Sequence, residues 1–420
     1  MRVLVIDEWI PLPLNSGKRI RTFQLLAPHA RRHEMVYLCY ADAQAEAAKI
    51  RQMEEAGFRM LCVPPVPRFN TPFKAAVGFG MYCMGRTPLA VRKQYSRGFQ
   101  EALRRILAAE RFDLIHCEWT HYAHFLRGLP EMPRFLCSHN VESVPWERLY
   151  RVERNPLRRA ALHLEWLKMR SFERRAVARF DHVAAVSAVD AEMLRTQFGA
   201  RSVEVIPNGV DLDFYACGDR RPQEEILAYC GSMDSFVNQD AVRYFVEKIF
   251  PAILARRPHV RFMIIGRSPP RSIRDLANDR IMVSGNVEDI RPLLSQVTVG
   301  VVPLRVAGGS RLKILEAFAA GIPLVSTSIG AEGLDLQPGT HLLAADDEAS
   351  FAEACLRLLG DSQLRTQLAG AARIFLGQRY DWKSISPRVE AAWEHTRRAF
   401  AEKGHVLDAS EQGSWRRDPL

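Results

Sequence analysis

The sequence predicts an α/β protein built from two doubly wound, Rossmann-like parallel sheets facing each other across a cleft. Three observations lead there. Short continuous apolar runs recur along the whole chain between longer amphipathic segments, which is how parallel strands covered by helices on both faces read. The chain has 420 residues, 47% of them hydrophobic, more than a single core usually holds. A polar, turn-rich stretch, IPNGVDLDFYACGDRRPQEE (206–225), divides the apolar runs into two sets.

The strand candidates of the first set are RVLVI (2–6), MVYLCY (35–40), MLCV (60–63), DLIHCE (113–118), RFLCSH (134–139), HVAAVS (182–187) and VEVIP (203–207). The second set is ILAYCG (226–231), VRFMIIG (260–266), RIMVSG (280–285), VTVGVVPL (297–304), PLVSTS (323–328) and HLLAA (341–345). The expected organisation is a first domain over 1–208, a second over 209–385, a helix over 386–404 that returns to the first domain, and a disordered tail over 405–420. The tail reading rests on its lack of periodicity.

Composition narrows the classes. A net charge of +10 and a pI near 9.3 point to an anionic partner. Cys39, Cys62, Cys83, Cys117, Cys137, Cys217, Cys230 and Cys355 form no C-x-x-C pair, which fits free thiols in a reducing cytoplasm better than disulfides or zinc. Asp7 and Glu8 interrupt the first apolar run, against a secretory leader. No apolar run reaches the ~18 residues of a membrane span. No G-x-G-x-x-G follows the first strand, against a nicotinamide enzyme, and no aromatic platform or zinc spacing supports a nucleic-acid partner.

The stretch AGGSRLKILEAFAAGIPLVST (307–327) carries the most chemistry. It reads as a glycine-rich loop after a buried strand, then a helix ended by Gly321 and Pro323. Gly308 and Gly309 let a phosphate approach the backbone, Ser310 caps or donates, and the unpaired N–H groups of the helix start favour an anion. Leu312, in the first turn of this helix, is placed with the donor-binding residues, and Arg311 and Lys313 add charge. Lys313 and Glu316 are three apart and share a helix face, so together they suit a phosphate beside a sugar diol. The same residues also read as a capped helix with a surface Lys–Glu pair.

With IPNGVDLDFY (206–215), CGSMDSFVNQDAV (230–242), FMIIGRSP (262–269), VSGNVEDIRPLL (283–294) and CSHNVES (137–143), this stretch resembles the motifs of family-four glycosyltransferases of the GT-B fold, in family order over most of residues 1–385. The closest resemblance is to the sugar transferases of PEP-CTERM-associated exopolysaccharide clusters. It implies retaining, metal-independent transfer from a nucleotide sugar, UDP- or GDP-linked, to a glycan or lipid-linked acceptor, with no cofactor. Glu316 corresponds to the glutamate that touches the nucleotide ribose. The family's sugar-contacting glutamate falls at Gly308, and its basic diphosphate pair falls at Ser232 and Asn238, both neutral here. Arg311, Lys313 and Arg267 are the expected replacements. Gly231 and the Asn286–Val287 loop are implied at the nucleotide, and Gly17 near the diphosphate.

Arg21, Glu118 and Glu142 are acceptor-side candidates. His139, at a strand end, suits a hydrogen bond to an acceptor hydroxyl or a proton in transit, although a lone histidine is also compatible with a structural role. Lys313, Glu316 and His139 form the expected catalytic set. Asp211 and Asp213 give a D-x-D pattern, read as interdomain rather than metal-binding. Residues 148–179 hold ten Lys/Arg against three Glu, which reads as either a solvated helix face or a basic helix lying on an anionic inner membrane surface. Two other readings stay open: a nucleotide-sugar 2-epimerase of similar fold, and a catalytically silent nucleotide-sugar-binding protein.

Overall fold

A computed structural model describes residues 1–14, 16–65, 85–215, 224–306 and 312–411, with backbone alone at 152 and 404–411. The expected sites Gly308, Gly309, Ser310 and Arg311 lie outside the described residues. The chain divides into two compact units, one comprising Met1–Pro207 and the chain from Ser386 onward, the other Asn208–Ile385.

The first unit contains a seven-stranded sheet: β1 (Arg2–Trp9), β2 (Glu34–Tyr40), β3 (Phe58–Val63), β4 (Leu114–Cys117), β5 (Arg134–Cys137), β6 (His182–Ala185) and β7 (Val203–Val205), in the order β3-β2-β1-β4-β5-β6-β7. The second contains β8 (Ile226–Cys230), β9 (Arg261–Ile265), β10 (Ile281–Val283), β11 (Val299–Val302), β12 (Leu324–Ser326) and β13 (Leu343–Ala344), in the order β10-β9-β8-β11-β12-β13. Neighbouring strands run parallel, with Val3 opposite Leu114 and Gly300 opposite Ala228. This is the doubly wound α/β architecture the apolar runs predict. In each sheet the winding reverses beside the first strand, between β1 and β4 and between β8 and β11. Such reversals open a crevice at the carboxyl ends of the strands, where ligands of open α/β sheets sit.

Helices cover the sheets by their apolar stripes. Helix α1 (Gly17–Ala30) follows β1 and buries Thr22, Leu25 and Leu26. Helix α2 (Arg97–Ala109) starts at Ser96, whose Oγ accepts from the Phe99 N–H, and buries Phe99, Leu103 and Ile106 at helical spacing. Each such fully buried side chain contributes roughly 1.5–3 kcal/mol.

The last helix corrects the expected bounds of 386–404 and the expected disordered tail from 405. It runs Trp382–Glu411. Asp381 sets its start, its Oδ1 accepting the Lys383 N–H at 3.0 Å, and the apolar stripe begins early, with Trp382, Ile385, Val389, Ala392 and Trp393 all buried. Pro387 lies inside the helix. In the first unit, His29 Nε2 meets the Ser386 carbonyl at 2.8 Å and Ser386 Oγ donates to the Leu25 carbonyl at 3.0 Å, fastening this helix to α1.

Helices α3 (Ser143–Val152) and α4 (Pro156–Val177) form a hairpin. Asn155 caps α4 through the N–H groups of Leu157 and Arg158. Two α4 glutamates turn inward and cap other helices. Glu165 accepts from the N–H groups of Leu89 and Ala90. Glu173, fully buried, accepts from the N–H groups of Glu142 and Ser143 at 2.7 and 3.1 Å and from Ser143 Oγ at 2.8 Å. Burial and the neighbouring Glu173 charge push the Glu142 carboxyl up to about 8, and burial pushes Glu173 up to about 7.

Gly266 and Gly231 end β9 and β8 with their backbones in contact: a Cβ on Gly266 would lie 1.8 Å from the Gly231 carbonyl oxygen. Gly266→Ala should therefore cost about 1–3 kcal/mol or more, read as a lowered urea midpoint; an unchanged midpoint would reject the close approach. The two raised acids make a second prediction. Each binds more protons folded than unfolded between about 4.5 and its folded value, so stability falls as pH rises through that window, by at most about 1.4 kcal/mol per pH unit for each acid. Urea titrations at pH 5 and 8 should show a smaller loss for Glu142→Gln than for the parent protein, and equal losses would refute the assignment.

Candidate functional site

At the reversal of the first sheet, the carboxyl ends of β1, β4 and β5 bring together most of the acceptor-side residues expected from sequence. Gly17 is the first residue of α1, one turn ahead of Arg21. Lys18 joins the Asp7 carboxylate at 2.7 Å and lies 4.6 Å from the Trp119 ring centre. Burial opposes the Lys18 charge, but Asp7 and Glu8 outweigh it and raise its pKa. Tyr37 closes the group, donating to Asp7 at 2.7 Å.

Glu118 directly follows β4 and is fully buried. Its Oε1 faces His116 Nε2 at 2.9 Å; its Oε2 faces His139 Nε2 at 2.8 Å and Thr22 Oγ1 at 3.1 Å. Burial alone would raise its pKa, but the hydrogen bonds from His116 and His139 prevail and hold it well below the usual carboxylate range. Behind His116, the Trp393 indole N–H donates to Nδ1 at 3.0 Å. Glu118 is thus closed off from solvent, while the side chain of its partner His139 is 10% exposed. Glu142 accepts from Trp119 Nε1 at 2.6 Å, and its other oxygen lies 3.9 Å from His121 Nδ1. His121 stacks on Trp119, and burial lowers it to about 3, keeping it neutral.

Arg21 lands elsewhere. It is 1% exposed, and its guanidinium donates to the carbonyls of Pro207 and Ile206 at 2.8 and 2.7 Å. A charge-assisted clamp on the end of the first unit is what these contacts describe, rather than a group offered to solvent.

The reversal of the second sheet lies between β8 and β11, and the helix Leu312–Ala319 brings Lys313 to Tyr229 of β8. Leu312 is buried in the core and anchors the first turn. Lys313 Nζ donates to Tyr229 Oη and Asn238 Oδ1, both at 2.7 Å, and sits 4.8 Å from the Tyr229 ring centre. Asn238 Nδ2 donates to the Ser232 carbonyl at 2.7 Å, and Arg267 Nε donates to Ser232 Oγ at 2.8 Å. Ser232 and Asn238, both neutral, therefore each touch a cation from elsewhere in the sequence. Gly231 leaves room for Asn238, whose Nδ2 would sit 3.0 Å from a Cβ there.

Glu316, half-buried, bonds to the Tyr215 hydroxyl; burial raises its pKa against the pull of Tyr215 and Lys313. Asn286 Oδ1 accepts the Ser268 N–H at 2.7 Å, which holds Ser268 at a φ of 52°, and Val287 next to it is exposed. Asp211 accepts the Phe214 N–H at 2.9 Å and Asp213 pairs with Lys383 at 2.6 Å, so the D-x-D carboxylates serve a turn and an ion pair.

Among the described residues, His116, Glu118 and Cys137 place one donor atom each within 4.8 Å of one another, as do His29, His33 and Glu390. Neither set suits a metal. Trp393 occupies the His116 lone pair at Nδ1, which puts the proton on the Nε2 that would have to ligate. Arg32 approaches His29 Nδ1 at 2.9 Å and Glu390 at 2.7 Å, placing a cation where the ion would sit.

Sequence reasoning missed His116, Trp393, Thr22, Tyr215 and Tyr229. Tyr215 was within reach, because it ends the quoted motif IPNGVDLDFY. The others read as core residues.

Comparison with known proteins follows this division. Residues 26–214 match the family model described as Glycosyltransferase Family 4, and residues 224–361 match Glycosyl transferases group 1. A 44.6 kDa protein in the cps region of Klebsiella pneumoniae is 20% identical over 91% of this chain and 97% of its own length. The phosphatidyl-myo-inositol mannosyltransferase of Mycolicibacterium smegmatis is 29% identical over 50% of this chain and 56% of that protein, so the alignment spans only about half of each. Among solved structures, sucrose-phosphate synthase from Thermosynechococcus elongatus superposes with a TM-score of 0.70 at 18% identity, covering 96% of this chain and all of the other. Anabaena HepE in complex with UDP and glucose gives 0.64 at 14% identity, covering 93% and 98%. With both glycosyltransferase family models matched in order and together spanning most of its length, the chain is a glycosyltransferase of GT-B type.

Proposed function

We propose that the protein moves a sugar from a nucleotide diphosphate, UDP or GDP, to a glycan or lipid-linked acceptor, with retention and without a metal, in the synthesis of an exopolysaccharide or other surface glycan. The observation that carries this reading is the cation pair at the carboxyl edge of the second sheet. Lys313 and Arg267 are each hydrogen-bonded to a neutral residue standing where the family has its diphosphate-binding bases. As the sugar C1–O bond breaks, its electron pair goes to the leaving diphosphate, and these cations stabilise the growing charge. The glycine-rich 307–311 loop is assigned the same diphosphate. Glu316 takes the ribose, exchanging or sharing its Tyr215 bond, and the Asn286–Val287 loop takes the base. The acceptor oxygen bonds to C1, and its proton goes toward His139. Gly308, in place of a glutamate, leaves the sugar hydroxyls to be read by other groups.

Membrane attachment belongs to the same proposal. No described helix is long and apolar enough to cross a membrane. The tip of the α3–α4 hairpin exposes Leu157 at 82%, together with Leu149, Arg151, Arg154, Arg158 and Arg159. Apolar side chains among arginines suit the headgroup region of an anionic bilayer on the cytoplasmic face. The apolar stretch GFGMYCM (78–84), a further candidate for membrane contact, lies outside the described residues.

A thermal-shift screen of nucleotide sugars tests the donor site without knowledge of the acceptor. One UDP- or GDP-sugar should raise Tm, Glu316→Ala should weaken that response about tenfold, and Lys313→Ala should lower transfer about 100- to 1000-fold with little change in Tm. Wild-type behaviour in both variants would reject the site, and loss of turnover on adding a chelator would reject the metal-free mechanism. Flotation with anionic liposomes should occur at low salt and fall as salt rises; absence of flotation at low salt would refute attachment.

A further inference from the structure

The first unit buries more polar structure behind His139 than an acceptor-binding histidine needs. Four groups run in line from the last helix to the sheet edge: Trp393 Nε1 to His116 Nδ1 at 3.0 Å, His116 Nε2 to Glu118 Oε1 at 2.9 Å, and Glu118 Oε2 to His139 Nε2 at 2.8 Å. Trp393, His116 and Glu118 are each fully buried. We infer that Trp393, His116 and Glu118 are positioning residues that fix His139 with its proton on Nε2, so that Nδ1 is the nitrogen left to accept an acceptor hydroxyl. This rests on the transferase reading for its purpose, though not for its geometry.

The inference follows from which groups can only donate. An indole N–H has no acceptor capacity. His116 Nδ1 must therefore present its lone pair to Trp393, and the single proton of a neutral His116 sits on Nε2. That proton points at Glu118. Thr22 Oγ1 supplies a further donor at 3.1 Å to the other oxygen. A carboxylate taken out of water requires such donors to stay ionised. An ionised Glu118 then accepts from His139, which settles the His139 proton on Nε2 as the carboxylate of a catalytic triad does for its histidine. Among the described residues Nδ1 of His139 has no hydrogen-bond partner, so it is the atom that can receive a proton, and the imidazolium so formed is stabilised by the Glu118 carboxylate at Nε2.

The alternative is a polar cluster that only holds the last helix in place. It predicts no particular tautomer for His139 and no effect on turnover beyond the loss of folded protein. The chain would be tested by labelling histidine with nitrogen-15 in the full-length protein and reading the two ring nitrogens of His116 and His139 by long-range proton–nitrogen NMR, assigned with His116→Gln and His139→Gln. Both rings should carry their proton on Nε2. In Trp393→Phe, which removes the donor together with part of the buried ring system, His116 should become a mixture of tautomers and His139 should lose its single state. Transfer by that variant should fall about 10- to 100-fold in kcat with the donor KM unchanged. Glu118→Gln should give the same kcat loss should Trp393→Phe fold poorly.

A wild-type His116 or His139 protonated on Nδ1 overturns the inference by itself. The expected tautomers with full activity in both variants would overturn the positioning role and leave the transferase reading standing. The expected tautomers in a protein that transfers no sugar from any nucleotide donor would instead defeat that reading, and with it the purpose assigned to the chain, while the proton positions remained as stated.

Discussion

The first unit is organised around a negative charge in a place without water. Glu118 ends a central strand, 0% exposed, and an ionised carboxylate there is tolerable only with hydrogen-bond donors on both oxygens. That requirement reaches far along the chain. Thr22 comes from the helix after β1, His116 from the same strand, and His139 from the end of the next. Trp393, which orients His116, comes from the last helix, 277 residues away in sequence. Placing the last helix on the first unit is therefore part of building the site.

The second unit faces the opposite problem, holding positive charge in place. Lys313 is neither buried nor loose. Its amine bonds to Tyr229 and Asn238 and lies near the tyrosine ring, so little side-chain freedom is lost when a ligand binds. Arg267 is steadied by Ser232 on the neighbouring strand end. Both arrangements rely on β8 and β9 ending with their backbones touching at Gly231 and Gly266.

Relatives with the same fold show how much such a scaffold leaves open. The solved structures matched here share the architecture at under 20% identity, and a fold of this kind hosts different donors and acceptors by changing loops and strand-end residues. In this chain Ser232 and Asn238 are neutral, and the cations that touch them, Arg267 and Lys313, come from other parts of the sequence.

The sequence by itself determined the two doubly wound sheets and the likeness to glycosyltransferases, because parallel strands buried on both faces must be continuously apolar and glycine-rich strand ends must recur where the chain turns into a helix. It also brought forward Lys313, Glu316 and His139, each within two residues of such an end or on the helix that follows it. Only the tertiary structure decided their partners. His116 and Trp393 look like core residues in sequence, since burial is all that periodicity reports, and which polar atoms meet inside a core depends on packing between elements remote along the chain. Arg21 shows the same limit from the other side: its position beside Gly17 suggested a ligand contact, while its long side chain reaches the carbonyls of residues 206 and 207. The bounds of the last helix were missed because a cap at Asp381 and the burial of Trp382 outweighed the local signal of Pro387.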